Sequence, residues 1–555
     1  METYNRNNIF HLLMICFACL MSACNSNIDL EPKGIITADG FFASPEDFEK
    51  ALNGVYTRIN TGSCYQWLDA TTDDALVTHS WNAGYQLGRG IANSTSPFPA
   101  NKWSQNYVAI QRANNIINNI DTYKWPDEAS DITRNKILGE ARTLRAFFYL
   151  DQVCLFGRIM FYEINPATVL ESENIPQIED PKIVFDFILK ELEEAIIGLP
   201  EKSENKSKIG QAAARLLRAR AAAYAAGYLN DKSYFKITLA ETAELLKSAP
   251  KLGDYDSLFK LGNENIEEVI LVKSYSPDAR HRWGDWYNNS IGGYCVTTPV
   301  KALVDAYEYI IPKNPTMPYV GKDPRFYSTI YAPGMLLRDK YYNTIPDNTV
   351  EKDGKIYFDP SKDYGVLQEY EVSYGDVLGE PGGGEWNKTT TGFTYKKYNS
   401  EPDTWFTYNS YIVFRFAEAY LLRAEALVET GGNESEVKSL LKILRDRAGN
   451  TNDIDEVLKT NYNNNLLNMV RNERRIELAQ EGLRLFDIRR WKILLDVMNK
   501  PIEGIEYRDF SGTTPIWKKY IPAERESLTA RDYWWPIPQS EIDLNKGRIT
   551  QNKDW

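Results

Sequence analysis

The chain has 555 residues, 43% hydrophobic and 25% charged, with a formal net charge of −12. This is globular composition and excludes a disordered, collagenous or multi-span membrane chain, while the acidic balance argues against gripping a phosphate backbone and so against nucleic acid. Three histidines in all (His11, His79 and His281) leave little material for multi-histidine metal sites or histidine relays.

The N-terminus carries Arg6 in a polar stretch, then an apolar run from Ile9 to Leu20. That run is too short to span a bilayer and fits the core of a signal peptide over residues 1–23. Met21-Ser22-Ala23-Cys24 resembles a bacterial lipobox, in which the Cys24 thiol would carry a lipid. An ordinary secretory signal is the alternative. Cys64, Cys154 and Cys295 then remain, too scattered for a disulfide framework or a zinc knuckle.

The length corresponds to about three to five domain equivalents, or to one merged body. Residues 25–40 read as a tether. Ser44-Pro45-Glu46-Asp47 predicts a helix start, with a Ser cap, Pro in the first turn and acids near the positive end of the dipole. Apolar spacing predicts further helices over about 104–119, 131–156, 182–198, 208–228 and 234–248, with Gly157 ending the second of these. The alanine-dense stretch 208–228 lets a neighbouring helix approach closely. From about 265 to 410 the composition shifts to Gly, Pro, Tyr, Asn and Trp, predicting a short strand in NENIEEVILVKSY and then long loops with small hairpins. Helices return over about 411–430, 434–448 and 462–481. The fold expected is mainly α, with helical hairpins stacked in the tetratricopeptide manner and a loop-rich insert with short strands. No clean 34-residue period recurs.

Several blocks, taken in order, resemble the SusD/RagB family of outer-membrane nutrient-binding lipoproteins from the Bacteroidetes. They are Asp29-Leu30-Glu31-Pro32 after Cys24, SPEDFEKALNGVYTRI at 44–59, WSQNYVAIQRANNI at 103–116 and GEARTLRAFFYLDQVCLFG at 139–157. The second half adds NIEEVIL at 265–271, YIVFRFAEAYLLRAEAL at 411–427, LRDRAG at 444–449, NERRIELAQEGLRLFDIRRW at 472–491 and PIPQSEIDLNKGRITQN at 536–552. The resemblance implies four tetratricopeptide-like helix pairs carrying irregular ligand-binding segments. The expected organisation is an N-terminal region over 24–230 and a C-terminal region over 265–555, packed as one body. It also implies lipid anchoring at Cys24, a SusC-like TonB-dependent barrel as partner, and capture of an oligosaccharide at the cell surface. Some relatives of this kind take peptides, so a peptide or other nutrient is the alternative ligand. A lid completing the transporter, with little ligand contact of its own, is another.

Glycan capture needs flat aromatic faces for the C–H surface of a sugar and hydrogen-bonding groups for its rim, several acting together because each bond nets only ~0.5–1.5 kcal/mol. Two clusters supply them. THSWNAGYQLGRG at 78–90 holds Trp81, Asn82 and Tyr85, with Asp74 just before it. RHRWGDWYNNSIGGYC at 280–295 holds Trp283, Trp286, Tyr287 and Tyr294. Trp386, with Trp405, is a third candidate. Each tryptophan could equally pin its loop to the body. Trp103, Trp491, Trp534 and Trp535 are expected to pack. Arg474, Arg475, Arg484, Arg489 and Arg490 are expected to pair at helical spacing with Glu473, Glu477, Glu481 and Asp487 rather than bind an anion. No nucleophile elbow, P-loop or zinc-protease motif occurs, and no enzyme is expected. No cofactor is indicated, and a structural calcium has no signature in the sequence.

Overall fold

The computed structural model describes residues 41–59, 67–166, 171, 174–284, 286–287, 289–314, 318–345, 349–359, 388–399, 406–509, 512–514 and 516–555. The expected signal peptide over 1–23, Cys24, Cys64, Trp386 and Trp405 lie outside the described residues. Among those described, no helix is long and apolar enough to cross a membrane.

The principal helices are α1 (Pro45–Tyr56), α2 (Pro97–Asn119), α3 (Glu128–Phe156), α4 (Lys182–Gly198), α5 (Gln211–Tyr228), α6 (Phe235–Lys247), α7 (Phe416–Glu429), α8 (Glu434–Ala448), α9 (Leu466–Glu477) and α10 (Arg484–Arg490). From α2 to α8 each packs on its predecessor, and α9 packs on α7. This is the mainly α, hairpin-stacked architecture expected. One apolar core runs through it, from Phe48 in α1 to Ile549 near the C-terminus. The alanines of α5 serve as anticipated: Ala213, Ala214, Ala219 and Ala221 to Ala223 are buried between α4 and α6.

The signals at helix ends are honoured with one change. Ser44 stands before α1 in extended backbone, but its hydroxyl bonds the Asp47 carboxylate at 2.9 Å instead of capping a backbone N–H. Asp127 caps α3, accepting from Ser130 N at 2.8 Å. Gly157 ends α3 at φ 69°, where a Cβ would also lie 2.8 Å from the Trp534 ring. The last carbonyls of α3 are met by distant parts of the chain. Trp535 N donates to Leu155 O at 2.7 Å, and Asn552 Nδ2 to Phe156 O at 2.8 Å. The buried Arg489 guanidinium donates to Cys154 O and Leu155 O, at the negative end of the helix dipole.

The segment between α6 and α7 is the loop-rich insert. The strands that matter are β1 (Ala75–Val77), β2 (Val269–Lys273), β3 (His281–Arg282), β4 (Thr297–Pro299), β5 (Phe406–Thr407) and β6 (Tyr411–Arg415). Every sheet among the described residues has two strands: β1 pairs with β4, β2 with β6 and β3 with β5. The helix expected over 411–430 is corrected here. Tyr411 to Arg415 form a strand against β2, with Ile412 opposite Val272, and the helix starts only at Phe416. Aromatic and β-branched residues with a strand to pair with override the helical spacing.

Arg415, fully buried, closes an ionic core between this strand and α9. Its Nη1 reaches Glu477 at 2.6 Å and Glu268 at 3.0 Å, and its Nη2 reaches Glu481 at 2.8 Å. Arg325 binds Asp323, Glu473 and Glu477, and Arg445 binds Glu308 and Glu473. Arg474, Arg475, Arg484 and Arg490 do pair with acids, Arg490 with Asp487 at helical spacing, whereas Arg489 bonds backbone carbonyls instead, a correction to its expected ion pair. Most partners are distant in sequence, because the acids of α9 face inward toward arginines from other elements.

Candidate functional site

The β1–β4 ladder joins sequence segments more than 200 residues apart. Ala75 faces Pro299 and Val77 faces Thr297. Just beyond the ladder, Thr78 N donates to Val296 O at 2.9 Å and Thr78 Oγ1 to Cys295 O at 3.1 Å. Thr78 Oγ1 also lies 3.4 Å from Thr390 Oγ1. The ladder therefore gathers loop 78–90, loop 289–296 and the segment beginning at Lys388 at one end.

Loop 78–90 carries the exposed chemistry. Trp81 is 61% exposed, and its indole lies on the His79 ring with centroids 4.4 Å apart and planes 6° from parallel. His79 is buried, and burial pulls its pKa down, so the ring beneath the indole favours the neutral form. Asn82 N donates to His79 O, and the Asn82 side-chain nitrogen meets no acceptor among the described residues. Gly84, at φ 82°, turns the chain into the short helix Tyr85–Gly88. A Cβ there would lie 3.1 Å from Trp67 O. Tyr85, half-buried, sits under the Arg89 guanidinium at 5.0 Å.

The loop is clamped from the C-terminal segment, which the sequence did not single out. Arg525 donates to Gly88 O at 2.8 Å, Met498 O at 2.7 Å and Thr72 O at 3.2 Å. Arg89 donates to Glu524 O, and Glu526 N donates to Arg89 O. With carbonyls for partners, burial draws the Arg525 pKa down to about 10. An isolated arginine in a polar stretch gives no signal of such a role.

The other candidates are placed differently. Asp74 is buried beneath β1, with Asp73, against Arg475 and Arg484. Burial outweighs the two arginines at Asp74 and raises its pKa, while at Asp73 the arginines win over burial and hold the carboxyl well below the usual range. Asp74 therefore braces the ladder, a correction to its reading as a ligand contact. Trp283 and Trp286 are 0% exposed, and Tyr287 is buried beside them. Trp283 stacks on Tyr398 at 5.0 Å and donates its indole N–H to His281 Nε2 at 2.7 Å. Trp286 meets Trp67 edge-on at 4.6 Å. These three side chains pack the insert onto the core and offer no face to a ligand, which corrects the second cluster. Tyr294 of that cluster is half-buried at the ladder end, its N donating to Gly284 O. Phe406, 46% exposed and opposite Arg282 in the β3–β5 pair, is an exposed aromatic the sequence reading passed over.

His281, the other histidine among the described residues, has its Nε2 within reach of both the Trp283 N–H at 2.7 Å and the Asn409 carbonyl at 3.0 Å, so the ring is taken up by packing. Among the described residues no group of three His, Cys, Asp or Glu side chains could hold a metal ion. The packing expectations are met at Trp103, Trp491 and Trp535, all buried, and at Trp534, stacked on Tyr228.

A helical stack carrying a loop cluster on a two-stranded ladder is the architecture of a known class. Residues 267–555 match the model of the SusD family, and residues 28–226 match a model described as starch-binding associating with outer membrane. The first match covers just over half of the sequence, and the chain belongs to the SusD family. SusD-like protein P25 of Formosa agariphila is similar at 23% identity over 570 residues, covering 97% of each chain. A SusD-like carbohydrate binding protein of Bacteroides fragilis shares the fold with a TM-score of 0.75 at 22% identity, over 92% of this chain and 100% of its own. A laminarin binding SusD-like protein gives a TM-score of 0.64 at 20% identity, over 93% and 100%.

Proposed function

We propose that this chain captures an oligosaccharide at the cell surface and passes it to a SusC-like TonB-dependent barrel in the outer membrane, doing no chemistry itself. Trp81 carries the reading. A large indole exposed to solvent and backed by a buried imidazole is a rigid flat platform for the apolar face of a sugar ring. Asn82, Tyr85 and Tyr294 stand around the same ladder end as hydrogen-bonding partners for its rim. Two relatives named for carbohydrate and laminarin binding support the ligand class. A lipid on Cys24 would hold binder and barrel in one membrane and raise their effective concentration, so modest affinity for the sugar suffices.

The test is a glycan and peptide array on residues 25–555 beside the Trp81→Ala variant, with hits titrated by calorimetry. The expected result is a glycan hit weakened about fivefold or more by the substitution, since stacked aromatic contacts are worth roughly 1 kcal/mol. A peptide hit, or a glycan hit indifferent to Trp81, overturns the reading. Binding only in the presence of the barrel would make the chain a lid.

A further inference from the structure

A cleft of about 480 Å³ opens on the first helix pair, between α2, the loop after α3 and the C-terminal helix Gln539–Leu544. None of its lining residues belongs to the β1–β4 site. Its size falls within the roughly 300–1,000 Å³ of small-molecule sites.

One wall is aromatic. The Trp103 and Tyr107 centroids are 5.0 Å apart, and Tyr107 and Tyr162 are nearly parallel at 6.2 Å. Trp103 is buried behind the other two rings, which are partly exposed. The Tyr107 ring is held by its OH, which donates to Met160 O at 2.8 Å, while at Tyr162 it is the backbone N–H that is held, donating to Tyr149 OH at 3.2 Å. A ring anchored at its hydroxyl is a preorganised surface.

Glu541 lines the same cleft. Burial raises its carboxyl pKa, and the Trp103 indole N–H is the group that opposes this, without forming a hydrogen bond of good geometry. No cation stands beside it among the described residues, which sets it apart from the acids of the ionic core. A half-buried carboxylate in a cleft that tyrosine rings also line lacks the counter-charge that burial calls for. An ammonium group would supply it, drawn also by the negative face of each ring's quadrupole. The net charge of −12 favours its approach.

We propose that this cleft is a second binding site, for a small organic cation held by the Glu541 carboxylate and the faces of Tyr107 and Tyr162. An amino sugar and a quaternary ammonium headgroup share this chemistry. The experiment titrates residues 25–555 by calorimetry with D-glucosamine, D-glucose and choline, the first two differing by one amine. At least one cation is expected to bind about tenfold tighter than glucose. Preference for glucosamine assigns an amino sugar, and preference for choline a headgroup. Glu541→Gln removes that preference, and Ser104→Trp, a substitution at an exposed position of the cleft wall, blocks binding altogether. Both variants keep the parent melting temperature. Trp81→Ala leaves cation binding unchanged, so this inference and the proposed glycan site fail separately. Equal binding of all three probes, or cation binding that survives both cleft variants, overturns the proposal. So does its loss in Trp81→Ala, which would move the cation to the other site.

Discussion

Loops 78–90 and 280–295 read alike in sequence: both combine Trp, Tyr, Asn, Arg, Gly and one histidine. In the folded chain they are opposites. In the first, a buried histidine lifts Trp81 into solvent. In the second, His281 accepts the Trp283 N–H, and Tyr398 covers the indole face. The same residue types thus make a platform or a plug according to what the rest of the chain lays over them. The covering side chains come from 67 and 398, positions no local pattern links to loop 280–295.

The contrast can be broken at several depths. The largest effect is expected from Trp283→Ala, which empties a fully enclosed site and should cost about 3–5 kcal/mol in denaturant unfolding. Next is the pH response of His281. Burial lowers its pKa from 6.5 to about 4, with the Asn409 carbonyl opposing. The unfolded chain therefore takes up a proton first as pH falls. The stability this histidine contributes is complete above about pH 6.5 and is lost progressively down to about pH 4, by roughly 3 kcal/mol in all. A His281→Asn variant, melted across that range, should show a flatter pH profile. Gly84→Ala is expected to cost about 1–2 kcal/mol, because alanine resists φ 82° and its Cβ crowds Trp67 O. It should also weaken glycan binding by shifting Trp81. Smallest is Trp81→Ala itself, expected to change stability by less than about 0.5 kcal/mol while removing the platform. A large loss of stability there would erase the distinction between the two loops.

The helical frame was legible because its signals are local. Alanine density over 208–228, the apolar stripe ending at Gly157 and the start of the 434–448 helix all depend on neighbours within a few turns. The strand at Tyr411–Arg415 was not legible, because it exists through its pairing with Val269–Lys273 and the inward pull of Arg415 on Glu477. Four of the five arginines expected to pair over 472–491 are ion-paired, but the partners Asp73, Glu418 and Glu425 lie in other elements, and Arg489 instead bonds carbonyls at the end of α3. At the candidate site, Trp81, Asn82 and Tyr85 stood out through composition. The Arg525 clamp did not, since one arginine bonding carbonyls has no motif.

The end of α3 gives the chain a clock. Its terminal carbonyls are satisfied by Arg489, Trp535 and Asn552, the last 396 residues away from Phe156. Closing so long a loop is entropically slow to reward, and contacts of this separation form late. The first long helix hairpin is therefore left with an open end while the following helices are made. It can be sealed only when nearly the whole sequence is present. A chain lacking Asn552 is expected to leave the Phe156 carbonyl unmet and the C-terminal end of α3 frayed.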